Sequence, residues 1–253
     1  MTSSRSGNGA RFAAVPLAGG GTSIGEWLAG DRPPPLDISD CTRLIVVGAH
    51  PDDETLGFGG ASAQLAAAGV EVQVVSVTDG GAAFPLMSVF DRIRLERTRR
   101  SELIKATGSL GVRAPIFLGL PDGAVTDHEH TLTDLLVEIL DGAATDTWLA
   151  ATWRGDGHPD HEAVGRAAAA ATAHTGATLL EYPVWMWHWA APGDPDVPWD
   201  RAYAVQLDRA ALGRKHHAAQ CFRSQFEPTA TEPAVLPPFV LRRLLAVGEV
   251  VFR

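Results

Sequence analysis

Cysteine is nearly missing from this chain: Cys41 and Cys221 are the only two in 253 residues, far apart and outside any CxxC spacing. That leaves neither a disulfide framework nor a thiolate metal site, and it fits a reducing, cytoplasmic setting. Long apolar runs are missing as well. None approaches the ~18 residues that a membrane helix needs, so no membrane span is expected. The stretch Phe12 to Ala18 is short and broken by Pro16, unlike the apolar region of a secretory leader. Positive charge is sparse and scattered: 21 Lys and Arg stand against 30 Asp and Glu, a net charge of -9. Nucleic acid and anionic membranes are therefore excluded as main partners. No repeat is visible and no linker separates two cores. A nucleotide fingerprint is also lacking, because Gly57-x-Gly59-Gly60 follows a run of acids and fails the GxGxxG spacing.

Apolar content, by contrast, is sufficient for one sizeable core, at 45% of the residues. From Arg43 onward, strand and helix patterns alternate. Runs at 43–49, 70–78, 115–120, 147–152, 178–185 and 201–207 read as strands. Helical patterns fill 55–68, 88–110, 131–144, 162–174 and 209–222, with Gly69 and Gly111 as stops. The alternation points to βαβ units, hence an α/β fold: a single Rossmann-like domain with a mostly parallel sheet and helices on both faces. That domain is expected over 41–253. Residues 1–40 read as an N-terminal arm, partly disordered over its first ten or so residues, with a short helical piece from Thr22 to Leu28. Nothing in the arm looks chemical.

The most informative stretch is Leu44 to Gly60. A buried strand, Leu44-Ile45-Val46-Val47, runs into His50, Asp52, Asp53 and Glu54 within a few residues. Open α/β sheets build their sites at strand carboxyl ends. A helix cap accounts for one acid, and three acids with a histidine exceed what a cap or capping box needs. His50 and Asp53, three apart at a strand-to-helix turn, can converge on a divalent metal of the zinc type, which takes imidazole and carboxylate ligands. Asp52 points elsewhere and is free to act as a general base. Glu54 reads as the N-terminal acid of the helix.

The third ligand comes from His158-Pro159-Asp160-His161, after the fourth strand, with Pro159 suited to a first helical position. Both motifs fall at strand carboxyl ends and can face one crevice. His161 is assigned as ligand and His158 as the group that meets the substrate.

Ala-His-Pro-Asp-Asp-Glu (49–54) together with His-Pro-Asp-His (158–161) resembles the LmbE-like, or PIG-L, family of zinc-dependent N-deacetylases. The resemblance runs from about Arg43 to at least Trp185, through Gly80-Gly81, Arg99-x-x-Glu102-Leu103 and Leu118-Gly-Leu-Pro-Asp122-Gly123. It implies metal ligands at His50, Asp53 and His161, carrying zinc or ferrous iron. It further implies Asp52 as general base, His158 as electrophile or acid oriented by Asp160, and Arg99 as a substrate-binding residue. Family members remove acetyl or other acyl groups from N-acylated glucosamine units, and some are amidases. The expected function is therefore metal-dependent removal of an N-acyl group, in the first place N-acetyl, from a glucosamine-containing small molecule or glycosylated natural product. The alternatives are an amidase on a larger conjugate and a non-catalytic metal- or sugar-binding protein. A dinucleotide oxidoreductase would need glycines where His50-Pro51-Asp52-Asp53 stand.

Weaker signals remain. Trp185, Trp187, His188, Trp189 and Trp199 can wall a sugar pocket or simply pack an irregular loop. His216 and His217 read as a solvated helix face, and His128 and His130 as a polar turn.

Overall fold

The computed structural model describes residues 7–84, 86–228 and 234–253. In chain order its elements are α1 (Asn8–Ala13), α2 (Ile24–Ala29), β1 (Arg43–Gly48), α3 (Asp53–Ala67), β2 (Glu71–Thr78), α4 (Val89–Leu110), β3 (Ile116–Leu120) and α5 (Glu129–Ile139). These are followed by β4 (Thr147–Thr152), α6 (Pro159–Thr175), β5 (Thr178–Tyr182), α7 (Met186–Trp189), β6 (Ala202–Val205), α8 (Arg209–Ala219), α9 (Arg223–Phe226), α10 (Pro238–Ala246) and β7 (Glu249–Phe252).

Among the described residues, seven strands form one sheet in the order β3-β2-β1-β4-β5-β7-β6. The first five are parallel, and β7 runs antiparallel to both β5 and β6. Because β1 is covered on both faces, Leu44 to Val47 are apolar without a polar alternate. Leu44 and Val46 of β1 join one core with Leu56, Leu103, Leu110 and Trp148. Ile45 and Val47 join the opposite core with Leu132, Leu136 and Leu149. The expected α/β architecture, a mostly parallel sheet with helices on both faces, is what the chain adopts.

Strand order reverses between β1 and β4: the chain runs outward one way through β2 and β3, then the other way through β4 and β5. Such a switch point opens a crevice beyond the strand carboxyl ends. His50 follows β1 and His158 follows β4, so the two motifs enter the crevice from neighbouring strands.

Several local features differ from the sequence expectations. Helix α1 occupies Asn8–Ala13 and so begins within the first ten or so residues expected to be disordered, while residues 1–6 lie outside the described residues. Trp27 and Leu36 of the arm are buried in the main core, so the arm packs on the domain. Strand β5 stops at Tyr182, short of the expected Trp185, because Pro183 has no amide hydrogen for the ladder. Helix α10 and strand β7 were not expected, since β7 is a four-residue piece whose strand character comes from pairing with β5 and β6. Among the described residues no helix is long and apolar enough to cross a membrane.

Strand β7 matters to the site through Glu249. Helix α3 breaks at Phe58 (φ -142°, ψ 15°), which leaves amides at the break without helical acceptors. The Glu249 carboxylate accepts from Gly60 N at 2.6 Å and Ala61 N at 2.8 Å, and Lys215 Nζ of α8 donates to it at 2.8 Å. All of these groups are buried. Gly57 near the break faces the Tyr182 ring, where a Cβ would lie 2.2 Å from the ring carbon Cδ2. Close packing, not phosphate binding, accounts for that glycine.

Replacing Glu249 by Ala strands a buried ammonium and two amides, and should cost about 3–5 kcal/mol of stability. Urea unfolding measures this, and a loss below about 1 kcal/mol would show that the pair does not hold the break.

Candidate metal centre

Between β1 and α3 the chain turns sharply. Asp52 has φ 139°, a region that a non-glycine residue rarely enters and that costs on the order of 1–3 kcal/mol. Neighbours hold it there. Asp52 N donates to Glu54 Oε2 at 3.1 Å, and Arg99 Nη2 donates to Pro51 O at 3.1 Å. Glu54 is therefore more than the N-terminal acid expected of it. It is buried, and its carboxylate holds the turn. Burial pushes its proton affinity up, to a pKa of about 7.

The second motif forms as its sequence suggests, with His158 as N-cap and Pro159 opening α6. His158 Nδ1 accepts from Asp160 N at 3.3 Å. His161, in the first turn of the helix, is fully buried, and its Nδ1 meets Asp156 Oδ2 at 2.8 Å.

The two motifs meet at one oxygen, Asp53 Oδ2. It accepts from His50 N at 2.8 Å, and it lies 3.3 Å from both His50 Nδ1 and His161 Nε2. Ligand atoms of His50, Asp53 and His161 all fall within 4.8 Å of one another. Each imidazole has a carboxylate on its far nitrogen: Asp122 Oδ1 at 3.0 Å and Asp160 Oδ2 at 3.3 Å for His50 Nε2, and Asp156 for His161. Metal-ligating histidines are oriented in just this way. His161 Nε2 is buried, lies 3.3 Å from Asp53 Oδ2 and has no hydrogen-bond partner. An orphaned nitrogen among N and O donors fits a divalent cation, and the cluster has the make-up to hold one.

Charge in the site divides sharply. For both His50 and His161, burial alone would lower the pKa. Their carboxylate neighbours outweigh it, raising His50 well above the usual imidazole value and His161 to about 9. Burial opposes ionisation of Asp53, yet the two imidazoles hold it well below the usual carboxylate range. Asp52 goes the other way, pushed up to about 8 by burial against the opposing pull of Arg99. His158 is pushed down to about 3 by burial and by the neighbouring His161 and His50, so it is neutral.

A cavity of about 240 Å³ opens over these groups, bordered by His50, Asp52, Asp53, Arg99, His158 and Trp185. Its far wall is apolar and comes from Leu236 just before α10 and from Val240 and Leu244 within it. The structure thus gathers His50, Asp52, Asp53, His158 and His161 as the sequence suggested. Asp160 differs: its carboxylate accepts from Gly123 N at 2.7 Å and Val125 N at 3.2 Å and faces His50, and only its backbone N–H reaches His158. Arg99 borders the cavity, but its donors already serve Gly80 O and Pro51 O, with Asp52 Oδ1 at 3.6 Å. Of the tryptophans, Trp185 borders the cavity, and Trp187 and Trp189 are core residues. His216 and His217 are exposed on α8, and His130 pairs with Asp134 at the surface. Asp122 and Asp156 were given no role from the sequence. Asp156 carried a signal, an acid two residues before the His-Pro-Asp-His run, and Asp122 another, an acid just past a strand's carboxyl end.

A family model described as GlcNAc-PI de-N-acetylase, PIG-L, matches residues 45–172, which span β1 to α6 and hold both motifs. The chain belongs to the PIG-L family. Within it, the 1D-myo-inositol 2-acetamido-2-deoxy-alpha-D-glucopyranoside deacetylase of Mycobacterium sp. (strain KMS) is 36% identical over 162 residues, 54% of this chain and 52% of that protein. The chain spans about half the length of the curated relatives it matches. Among solved structures, the N,N'-diacetylchitobiose deacetylase from Pyrococcus horikoshii has a TM-score of 0.58 at 22% identity, covering 76% of this chain and 74% of that one. The 4-carboxy-2-hydroxymuconate hydratase GalB from Pseudomonas putida KT2440 has a TM-score of 0.56 at 18% identity, covering 81% and 84%. The shared fold thus carries a deacetylase and a hydratase, and chemistry has to be argued from the site.

Two measurements follow from the PIG-L cluster. Replacing Asp156 by Asn should weaken divalent-cation affinity about 10–100-fold, read by chelator competition, because His161 loses its orienting charge. Protons on His50 and His161 compete with a cation, and both are held more tightly than on free imidazole. Apparent affinity in calorimetric titrations should therefore rise with pH up to about 9 and fall as pH drops. A pH-independent affinity would place the ion elsewhere.

Proposed function

We propose that this PIG-L protein hydrolyses the amide of an N-acyl amino sugar, N-acetyl in the first place, releasing the carboxylate and the free amine. The observation that carries the proposal is the convergence of His50 Nδ1, His161 Nε2 and Asp53 Oδ2 beside a second, unshared carboxylate, Asp52. The acetamido sugar in the mycobacterial relative's name supports the substrate class.

His50, Asp53 and His161 would hold the ion, zinc in this proposal with ferrous iron as the alternative. Bound there, a divalent cation supplies Lewis acidity, which lowers the pKa of water from 15.7 toward about 7 and polarises a carbonyl. The chain's own groups do the rest. Asp52, a base with its proton affinity near neutral pH, takes the proton of the attacking water. Arg99 holds the Pro51–Asp52 turn and sits 3.6 Å from the Asp52 carboxylate, so it fixes where that proton is received. Its place on the cavity border also leaves it able to meet a substrate. His158 is neutral, and its Nδ1 faces the Asp160 amide, so Nε2 carries the hydrogen offered to the cavity. That N–H would stabilise the carbonyl oxygen as it gains charge, a contribution of about 3 kcal/mol for one such donor. Asp52 then returns its proton to the departing nitrogen. Asp160 and Asp122 act by holding His50, and Asp156 by holding His161.

We further infer that the protein acts in the cytoplasm, which its two unpaired cysteines support.

The test is a hydrolysis panel of N-acetylglucosamine, its glycosides and N-acylated natural products, run with and without chelator. Acyl release that stops with chelator and returns with zinc or ferrous iron is expected, and no release from any amide would overturn the proposal. Asp52→Ala should keep its cation and lose about 10²–10⁴-fold in kcat, whereas Asp53→Ala should lose both. Near-full activity in the Asp52 variant would remove it as the base.

A further inference from the structure

The segment ahead of the family-matched core reaches the site. Asn8 Nδ2 of α1 donates to Gly155 O at 2.7 Å, in the loop that leads to His158. Gly157, the residue before His158, has φ +93°, and a Cβ there would lie 2.8 Å from Phe12 Cβ and 3.2 Å from Asn8 O. Only glycine lets α1 come that close. The Phe12 ring then lies 5.0 Å from Trp185 and 6.4 Å from His158, centroid to centroid. Both of those partners border the cavity.

The segment is tied down on either side of Phe12. Arg11 pairs with Asp194 and Asp196, and its guanidinium lies 4.4 Å from the Trp189 ring centre. His188 Nε2 meets Val15 O at 2.9 Å, and the buried Arg243 of α10 donates to Gly20 O. A six-residue helix with no buried residue has little reason of its own to persist, so these tethers hold it against the loop.

We propose that Phe12 is a positioning residue: it backs the His158 imidazole and the Trp185 indole, and so fixes where the His158 N–H meets a substrate carbonyl. The proposal rests on the role given to His158 above. Phe12 itself does not border the cavity, so its effect passes through these two rings. Rings backed by a rigid aromatic lose little freedom on reaching the transition state, whereas a displacement of about 1 Å can cost 10²-fold in rate.

A mutant cycle with N-acetylglucosamine as probe tests this. Phe12→Ala should lower kcat about tenfold with KM and bound-metal content little changed, and Phe12→Leu should recover most of the loss. In a His158→Ala background the same Phe12→Ala change should alter kcat less than about twofold, because the group it positions is gone. Equal losses in both backgrounds, or no loss in either, would overturn the proposal. A thermal melt of each variant separates unfolding from mispositioning, and Phe12→Val, which keeps an apolar side chain but no ring to back His158, carries the cycle if Phe12→Ala does not fold. A second readout needs no turnover: diethyl pyrocarbonate should modify His158 faster in Phe12→Ala than in the parent, by peptide mass spectrometry. Unchanged labelling sinks the role of Phe12. Faster labelling in a protein that hydrolyses no amide keeps Phe12 in place and discards the deacetylase reading.

Discussion

Everything near the site depends on keeping charge buried around one carboxylate oxygen. Asp53 Oδ2 sits 3.3 Å from two imidazole nitrogens and accepts the His50 amide, while the outer nitrogens of both rings meet further carboxylates. An isolated buried charge would be expelled or neutralised, so the groups survive only as an interlocked set. Asp156 shows how far the set extends. Its two oxygens accept from Val184, Trp185 and Met186 N as well as from His161, so one acid orients the imidazole and shapes the loop that carries Trp185.

Two carboxylates adjacent in sequence are driven to opposite behaviour by this surrounding. Asp53 is flanked by imidazoles and stays ionised, whereas burial of Asp52 in the turn raises its pKa to about 8 against the opposing pull of Arg99 at 3.6 Å. The left-handed backbone at Asp52 turns the two side chains apart, and Glu54 and Arg99 hold that backbone. A strained residue maintained by buried hydrogen bonds at the crevice of an α/β sheet is a mark of function more than of folding.

Around this centre the family core supplies the donors, and the rest of the chain supplies the walls. Residues matched to PIG-L end at 172, yet Trp185, Leu236, Val240 and Leu244 border the cavity, and Phe12 packs behind it. Part of the cavity wall thus comes from segments outside the residues that the family model matches. Helix α10 comes to the site because β7, which follows it, slots between β5 and β6.

The sequence alone determined the alternation of strand and helix, the place of both motifs at strand carboxyl ends, and which residues gather at the candidate metal centre. Those features are local: an apolar period, a proline at a helix start, a dense run of acids. The outer partners left only a faint trace, acids beside a motif or just past a strand, because Asp122 and Asp156 meet His50 and His161 only across the fold. Asp160 illustrates the limit. The family resemblance implied that it orients His158, while hydrogen bonds from Gly123 N and Val125 N hold its carboxylate facing His50. Likewise β7 has too few residues to declare itself, and its strand character comes from the ladders on either side. Tertiary structure decided which nitrogen each carboxylate faces and which distant segment walls the cavity, since orientation in a buried site is set by the sum of contacts from elements far apart in the chain.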